Sequence, residues 1–141
     1  MTMMRRPVGR GRLLAVLGAL IILVGCVLPW WQLGGGDGIP PISGNAFEAI
    51  GIVVFVVALA TLALVTLPYA LGDVASNVDR WFAYTLLTIT GWVALGIRAL
   101  DLFGQGALGL PDTSPGLWLA GAGLAVLSRA AYDVARDRPE R

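Results

Sequence analysis

The sequence predicts an all-α protein, a polytopic membrane helix bundle with four transmembrane helices. Of the 141 residues, 57% are hydrophobic and 13% are charged, whereas about 25% of residues are charged in an average soluble domain. The mean hydropathy is +0.77. Four apolar runs approach the roughly 20 residues that a helix needs to cross a hydrocarbon layer about 30 Å thick. We therefore expect a single four-helix transmembrane domain over residues 1–141.

Charged and turn-forming residues set the bounds of the predicted spans. The spans cover about 13–31, 46–67, 81–100 and 116–131, with short tails at 1–12 and 132–141. The segments between them are rich in Gly, Pro, Asp and Ser and are predicted to be loops. The fourth span is short, and Arg129 lies in its last turn, from which its long side chain can reach the headgroup region.

The distribution of arginine predicts the orientation. All ten basic residues are arginines, and nine of them fall on one side of a four-span arrangement, with Arg98 as the exception. Because positive charge beside a span is retained in the cytoplasm, we expect both termini there. The composition suits a high-GC bacterium, so the expected location is the bacterial plasma (inner) membrane. Trp30, Trp31 and Trp118 are expected at the outer interface, and Trp92 near the midplane.

The two predicted outer loops are similar in sequence. Residues 38–44 (GIPPISG) and 109–116 (GLPDTSPG) each precede a helix start. One interpretation is an internal duplication, which gives two tandem helical hairpins in the same orientation. The other is that Gly, Pro and Ser recur in any two loops.

The end of the first span and the residues that follow it have features seen in other proteins. The span ends in Leu28-Pro29-Trp30, a glycine-rich outer loop follows, and the second span contains Gly51. In these features the chain resembles uncharacterised small four-helix integral membrane proteins of high-GC bacteria. The resemblance implies a membrane location and a four-span topology, and it implies no activity.

Residues 23–26 (LVGC) resemble the lipobox of bacterial lipoproteins and follow an arginine-rich segment and an apolar run, as in a signal peptide. In one interpretation, Cys26 is lipidated and the chain is cut before it, which leaves three spans. In the other, which we favour, the first span is uncleaved and contains a buried free Cys26. The apolar residues 27–31 favour the second interpretation, since a lipidated cysteine is normally followed by a polar tether.

Glu48 and Arg98 are expected at similar depth near the outer ends of spans two and three. Ionisable groups inside a membrane are costly and raise a functional hypothesis, here an inter-helix ion pair or a shared polar site. The structural alternative, which we favour, is a variant capping box from Asn45 to Glu48 in the first turn of span two. Arg98 would then reach the headgroups and pair with Asp101 at i+3.

Small residues recur at helix-packing spacing, at Gly18 in the first span and at Gly116, Ala120 and Gly123 in the fourth. Such residues let helix backbones approach closely in a membrane. They predict tight packing within the bundle or against a partner.

The sequence predicts no catalytic residue, no cofactor site and no metal site. With no histidine and one cysteine, the usual zinc ligand sets and a serine–histidine–acid triad lack their donors. The glycine-rich loop lacks the lysine of a phosphate-binding loop. The arginines near the termini suit anionic lipid headgroups in the bilayer better than nucleic acid.

We therefore expect a non-enzymatic structural or accessory protein that packs with itself or with a larger membrane complex. The alternative is a small oligomeric transporter or channel lined by Glu48, Arg98 and the threonines of span three, Thr85, Thr88 and Thr90. A third hypothesis is an enzyme that acts on lipid headgroups through Asp101, Asp112 and Arg98. No recognised residue spacing supports that third hypothesis.

Overall fold

The computed structural model of the protein describes residues 9–71 and 80–136. These residues form four α-helices and two short strands. In chain order the elements are α1 (Arg10–Val27), β1 (Trp31–Leu33), β2 (Ile42–Gly44), α2 (Gly51–Leu71), α3 (Arg80–Gly104) and α4 (Pro115–Arg136). The prediction of an all-α four-helix fold is confirmed.

The helices form an antiparallel ring in which each packs on the next and α4 returns to α1. Gly18 of α1 lies beside Gly123 of α4, and the start of α1 at Gly11 lies beside Val134 near the end of α4. The start of α1 and the end of α4 therefore share one end of the bundle, which we name the terminal end. The opposite end carries residues 28–50 and 105–114 between helices, and we name it the hairpin end.

Two helices are long and apolar enough to cross a membrane by length and composition, α1 over Arg10–Val27 and α3 over Trp81–Gly104. A buried core helix and an N-terminal signal sequence pass the same test. The apolar part of α2, Gly51–Leu67, is shorter. The structure thus identifies two candidate spans in its described residues, and the four predicted spans remain a prediction.

Helix α1 ends before the first predicted span does. Helix α1 ends at Val27 instead of residue 31. Leu28 is extended, with φ −74° and ψ 157°, because a residue before a proline is disfavoured in the helical conformation, and Pro29 follows it. Trp31 then enters strand β1.

Helix α2 begins later than the second predicted span. Helix α2 begins at Gly51, and residues 46–50 form turns, in which Ala49 has a positive φ of 51°. Glu48 therefore lies before the helix, outside its first turn. The third and fourth helices end later than predicted, at Gly104 and Arg136.

The hairpin between α1 and α2 was predicted as a loop without strands. Strands β1 and β2 pair antiparallel, with Trp31 opposite Gly44 and Leu33 opposite Ile42. Residues 105–114, the corresponding connection between α3 and α4, contain turns and no strand. The two connections that the sequence predicts as outer loops therefore fold differently despite their similar sequences, and the proposed duplication gains no support from them.

Candidate functional site

Arg98 is the centre of an ionic cluster at the hairpin end. It lies on α3, and only 5% of its surface is exposed. One guanidinium nitrogen, Nη1, donates to Asp101 Oδ2 at 2.8 Å. The other, Nη2, lies 3.4 Å from Glu48 Oε2. The structure thus brings together Glu48 and Arg98, the polar pair singled out in the sequence, and adds the expected i+3 contact to Asp101.

Glu48 reaches this cluster because the turn before α2 directs it there. Asn45 Oδ1 accepts a hydrogen bond from the N–H of Phe47 at 3.1 Å, an Asx-turn contact. The Glu48 side chain extends toward β1, where its Oε2 accepts from Trp31 Nε1 at 2.9 Å. The capping box predicted from Asn45 and Glu48 does not form, because the Glu48 carboxylate binds Trp31 and Arg98 instead of a helix N-terminus.

The charges of the cluster compensate one another. The Arg98 side chain is 7% exposed, whereas those of Glu48 and Asp101 are 46% and 47% exposed. Burying a guanidinium is costly unless it is paired and hydrogen-bonded, and two carboxylates supply that pairing. Arg98 Nε has no hydrogen-bond partner among the described residues. With both terminal nitrogens of its guanidinium engaged by carboxylates, Arg98 is suited to electrostatic and structural work.

The cluster links three parts of the chain at the hairpin end. Asp101 and Arg98 belong to α3, Glu48 to the turn before α2, and Trp31 to β1. Asp101 Oδ1 also accepts from Gln105 Nε2 at 3.0 Å, which continues the network beyond the end of the helix. The arrangement therefore ties α3 to the hairpin. The described residues contain no group of three metal-ligating side chains.

Two of the threonines expected to line a polar path donate to their own helix. Thr88 Oγ1 donates to the carbonyl of Tyr84 at 2.7 Å, and Thr90 Oγ1 donates to that of Leu86 at 2.8 Å. These hydroxyl donors are satisfied within α3. Neither threonine hydrogen-bonds with Arg98 or Glu48, so the structure does not connect them into one polar path.

The small residues singled out in the sequence meet at the α1–α4 interface. A methyl group added to Gly18 would lie 3.0 Å from the carbonyl oxygen of Gly123, and one added to Gly25 would lie 2.7 Å from the backbone nitrogen of Ala120. Gly116 has no room for a side chain beside Leu28 and Trp30. These helices approach backbone to backbone, so the small-residue faces are used inside the chain.

Cys26 is fully buried in the core. It lies in α1, one residue before the helix ends, and its carbonyl accepts from the N–H of Ala46 at 3.4 Å. The structure therefore places the thiol inside the bundle. Cleavage before Cys26 would remove Gly18 and Gly25, and with them the α1 side of the α1–α4 interface. This geometry favours the uncleaved interpretation, and lipidation remains untested.

Trp30 has a role that the sequence interpretation missed. It was expected at an outer interface, but it is fully buried, and its Nε1 donates to the carbonyl of Gly25 at 2.9 Å. In a continuing helix that carbonyl would accept from the residue four positions later. Here that residue is Pro29, which has no N–H. Trp30 satisfies the freed carbonyl, and the Pro29–Trp30 dipeptide after a helix is the sequence signal for this contact.

Comparisons of the chain with known protein families, with curated proteins and with solved structures find no match.

Proposed function

We propose that this chain is a non-enzymatic integral membrane protein, a structural or accessory subunit that crosses the bacterial plasma membrane four times with both termini in the cytoplasm. The main support for the proposal is the apolar surface of the helices that other parts of the protein do not cover. In the most apolar stretches of α1 and α3, 39% and 33% of the residues are buried inside the protein. Most residues of each stretch are therefore exposed or only partly buried, and a hydrocarbon environment suits both these side chains and a helical backbone.

The outward apolar surface extends over all four helices. Its large exposed side chains include Leu13, Leu17, Leu20 and Val24 on α1, Ile52, Val56 and Leu59 on α2, Phe82, Leu86, Ile89 and Val93 on α3, and Trp118 on α4. Soluble monomers rarely expose contiguous apolar patches of more than a few hundred Å². Lipid or another membrane protein is the natural cover for such a surface.

The charged residues that the structure describes support the proposed orientation, because cations predominate at one end of the bundle and acids at the other. The terminal end carries Arg10, Arg12, Arg129 and Arg136 with one acid, Asp133. The hairpin end carries one cation, Arg98, and four acids, Asp37, Glu48, Asp101 and Asp112. Positive charge beside a span is retained on the cytoplasmic side, which suits a cytoplasmic terminal end and an external hairpin end.

The polar groups inside the bundle support a structural role. Arg98 is neutralised within the chain by Glu48 and Asp101, and the hydroxyls of Thr88 and Thr90 bind their own helix. Because Gly18 and Gly123 face each other inside the chain, they are not free to contact a partner. Association with a second copy or a larger complex would use the outward faces, whose side chains are large and apolar.

Native mass spectrometry of the chain, extracted gently from its own membrane, tests the accessory role. We expect the intact chain in complex with another membrane protein or with itself. A strictly monomeric chain would contradict the proposed association. If a homo-oligomer conducts ions in proteoliposomes and Glu48→Gln abolishes the flux, the transporter or channel alternative replaces the accessory role. A mass lowered by the first 25 residues and raised by a diacylglycerol would show that Cys26 is lipidated.

Reporter fusions test the topology separately. Fusions at Asp37 and Asp112 are expected to report the outside, and a fusion at Asn77, which lies outside the described residues, is expected to report the cytoplasm. If the reporters at Asp37 and Asn77 lie on the same side, the four-span arrangement is wrong.

A further inference from the structure

An apolar groove lies between α3 and α4 at the half of the bundle nearer the hairpin end. Its volume is about 490 Å³. Trp92 and Leu95 of α3 form one wall, Leu117 and Gly121 of α4 form the other, and Leu108 of the connecting segment lines it as well. Gly121 helps to make the space, since a methyl group added there would meet Leu95 Cδ2 only at 3.6 Å. The helices here leave a gap that their side chains do not fill.

The polar atoms of the two tryptophans beside the groove are already bound. Trp92 Nε1 donates to Ser128 Oγ at 2.9 Å, and Trp118 Nε1 donates to the carbonyl of Gly109 at 3.0 Å. These bonds fix both rings and leave neither N–H free. The groove therefore offers hydrocarbon contact without a free indole donor. This chemistry suits an unbranched hydrocarbon chain.

The dimensions and the opening of the groove also suit such a chain. On α3 the lining extends from Trp92 to Ala99, a rise of seven residue steps or about 10 Å along the helix axis. Trp92 and Trp118 are 42% and 51% exposed, so the groove is open along its side. In the proposed membrane arrangement this side faces the acyl chains of the outer leaflet.

We propose that the groove binds one acyl chain of an outer-leaflet phospholipid whose headgroup carries an amine, phosphatidylethanolamine. The charge at the hairpin end selects this headgroup, because the described residues there include four carboxylates and one guanidinium. Asp112 is exposed in the connection between α3 and α4, the segment that also supplies Leu108 to the groove. An ammonium group is attracted to this end, whereas an anionic headgroup is repelled. The proposal rests on the proposed membrane function.

Native mass spectrometry of the purified full-length protein in detergent, with equal amounts of phosphatidylethanolamine and phosphatidylglycerol added, tests the site. We expect phosphatidylethanolamine to be retained preferentially. Gly121→Leu fills the groove and is expected to weaken retention about tenfold, the effect of excluding roughly two methylene groups. Ala63→Leu is the matched control, because Ala63 is exposed on α2 and does not line the groove. This control is expected to retain the lipid as the native chain does.

A second variant distinguishes the effect of a filled groove from the effect of a misfolded protein. Ala99→Leu fills the groove from α3, so its retention is also expected to fall, while circular dichroism verifies the helical fold of each variant. Equal retention by the native chain and both filled variants, equal binding of the two lipids, or binding of detergent alone would each overturn the site. Failure of the membrane proposal is distinguishable, because the chain would then leave the membrane fraction on an alkaline wash.

Discussion

Helix α4 packs on α1 through Gly123 and lies beside α3 at Gly121, two residues away. A methyl group added to Gly123 would lie 2.9 Å from the backbone oxygen of Gly18 and the backbone nitrogen of Ile22. One added to Gly121 would lie 3.6 Å from a leucine methyl group of Leu95. At Gly123 the α1–α4 interface is closed by backbone contact, whereas at Gly121 the α3–α4 interface is open. The same residue type therefore serves close packing on one face of a helix and leaves space on another.

The difference between the interfaces follows from their neighbours. On α1, glycines recur every seven residues, at Gly11, Gly18 and Gly25, and each lies against α4. This spacing keeps small residues on one helix face, so the two backbones can meet over the length of α1. On α3, Leu95 lies opposite Gly121 and Trp92 lines the same groove, and the bulk of these two side chains holds the backbones apart. Four substitutions compare the closed and open contacts of α4 with the polar contacts of α3, from the largest expected effect to the smallest.

Gly123→Ala is expected to lower the free energy of unfolding by about 1–3 kcal/mol, the usual cost of overpacking. The added methyl group would press on the backbone of α1, which cannot move aside as a flexible side chain can. Thermal unfolding of the detergent-solubilised protein, followed by circular dichroism, measures the effect. Unchanged stability would show that α1 and α4 are not in backbone contact.

Arg98→Gln is expected to lower the free energy of unfolding by about 1–2 kcal/mol, because it removes charge-assisted hydrogen bonds to Glu48 and Asp101. Both acids are about half exposed and can hydrate, which limits the loss. The matched control is Arg129→Gln. Arg129 pairs with Asp133 at 3.4 Å with its side chain 64% exposed, and such pairs contribute less than about 1 kcal/mol. Equal effects of the two substitutions would show that the buried cluster does not hold α3 to the hairpin.

Ser128→Ala is expected to lower the free energy of unfolding by about 0.5–1.5 kcal/mol, since it removes the acceptor for Trp92 Nε1 across the α3–α4 interface. A double-mutant cycle with Trp92→Phe, measured by thermal unfolding, isolates this bond. The second substitution is expected to cost less once the first is present. Strictly additive effects would mean that the hydrogen bond does not join the two helices.

Gly121→Ala is expected to have the smallest effect and the opposite sign to Gly123→Ala. The added methyl group enters open space, and alanine favours a helix over glycine by about 0.8–1 kcal/mol, so a slight stabilisation is expected. The melting temperature measured beside that of Gly123→Ala gives the contrast directly. A fall in stability equal to that of Gly123→Ala would contradict the open interface.

Local sequence features predicted the presence of the four helices better than the residues at which the helices begin and end. Four apolar runs between segments rich in glycine and proline were enough to indicate four helices. The ends of the helices depended on particular residues. Helix α1 ends shortly before Pro29, and α2 begins only after the turn that starts at Asn45. The similar depth predicted for Glu48 and Arg98 in the membrane indicated that their side chains could form an ion pair. The roles of Trp31 and Ser128 were missed, since each depends on a partner distant in sequence, Glu48 for Trp31 and Trp92 for Ser128.

Composition and the order of charges along the chain determined the all-α class, the number of helices and the segregation of positive charge, because these depend only on local hydrophobicity and turn residues. Tertiary structure decided which glycines close an interface and which border a groove. It also decided that Trp30 is buried and that the Glu48 carboxylate binds Arg98 instead of capping a helix. These outcomes depend on how helices far apart in sequence are rotated and spaced, which no local pattern specifies.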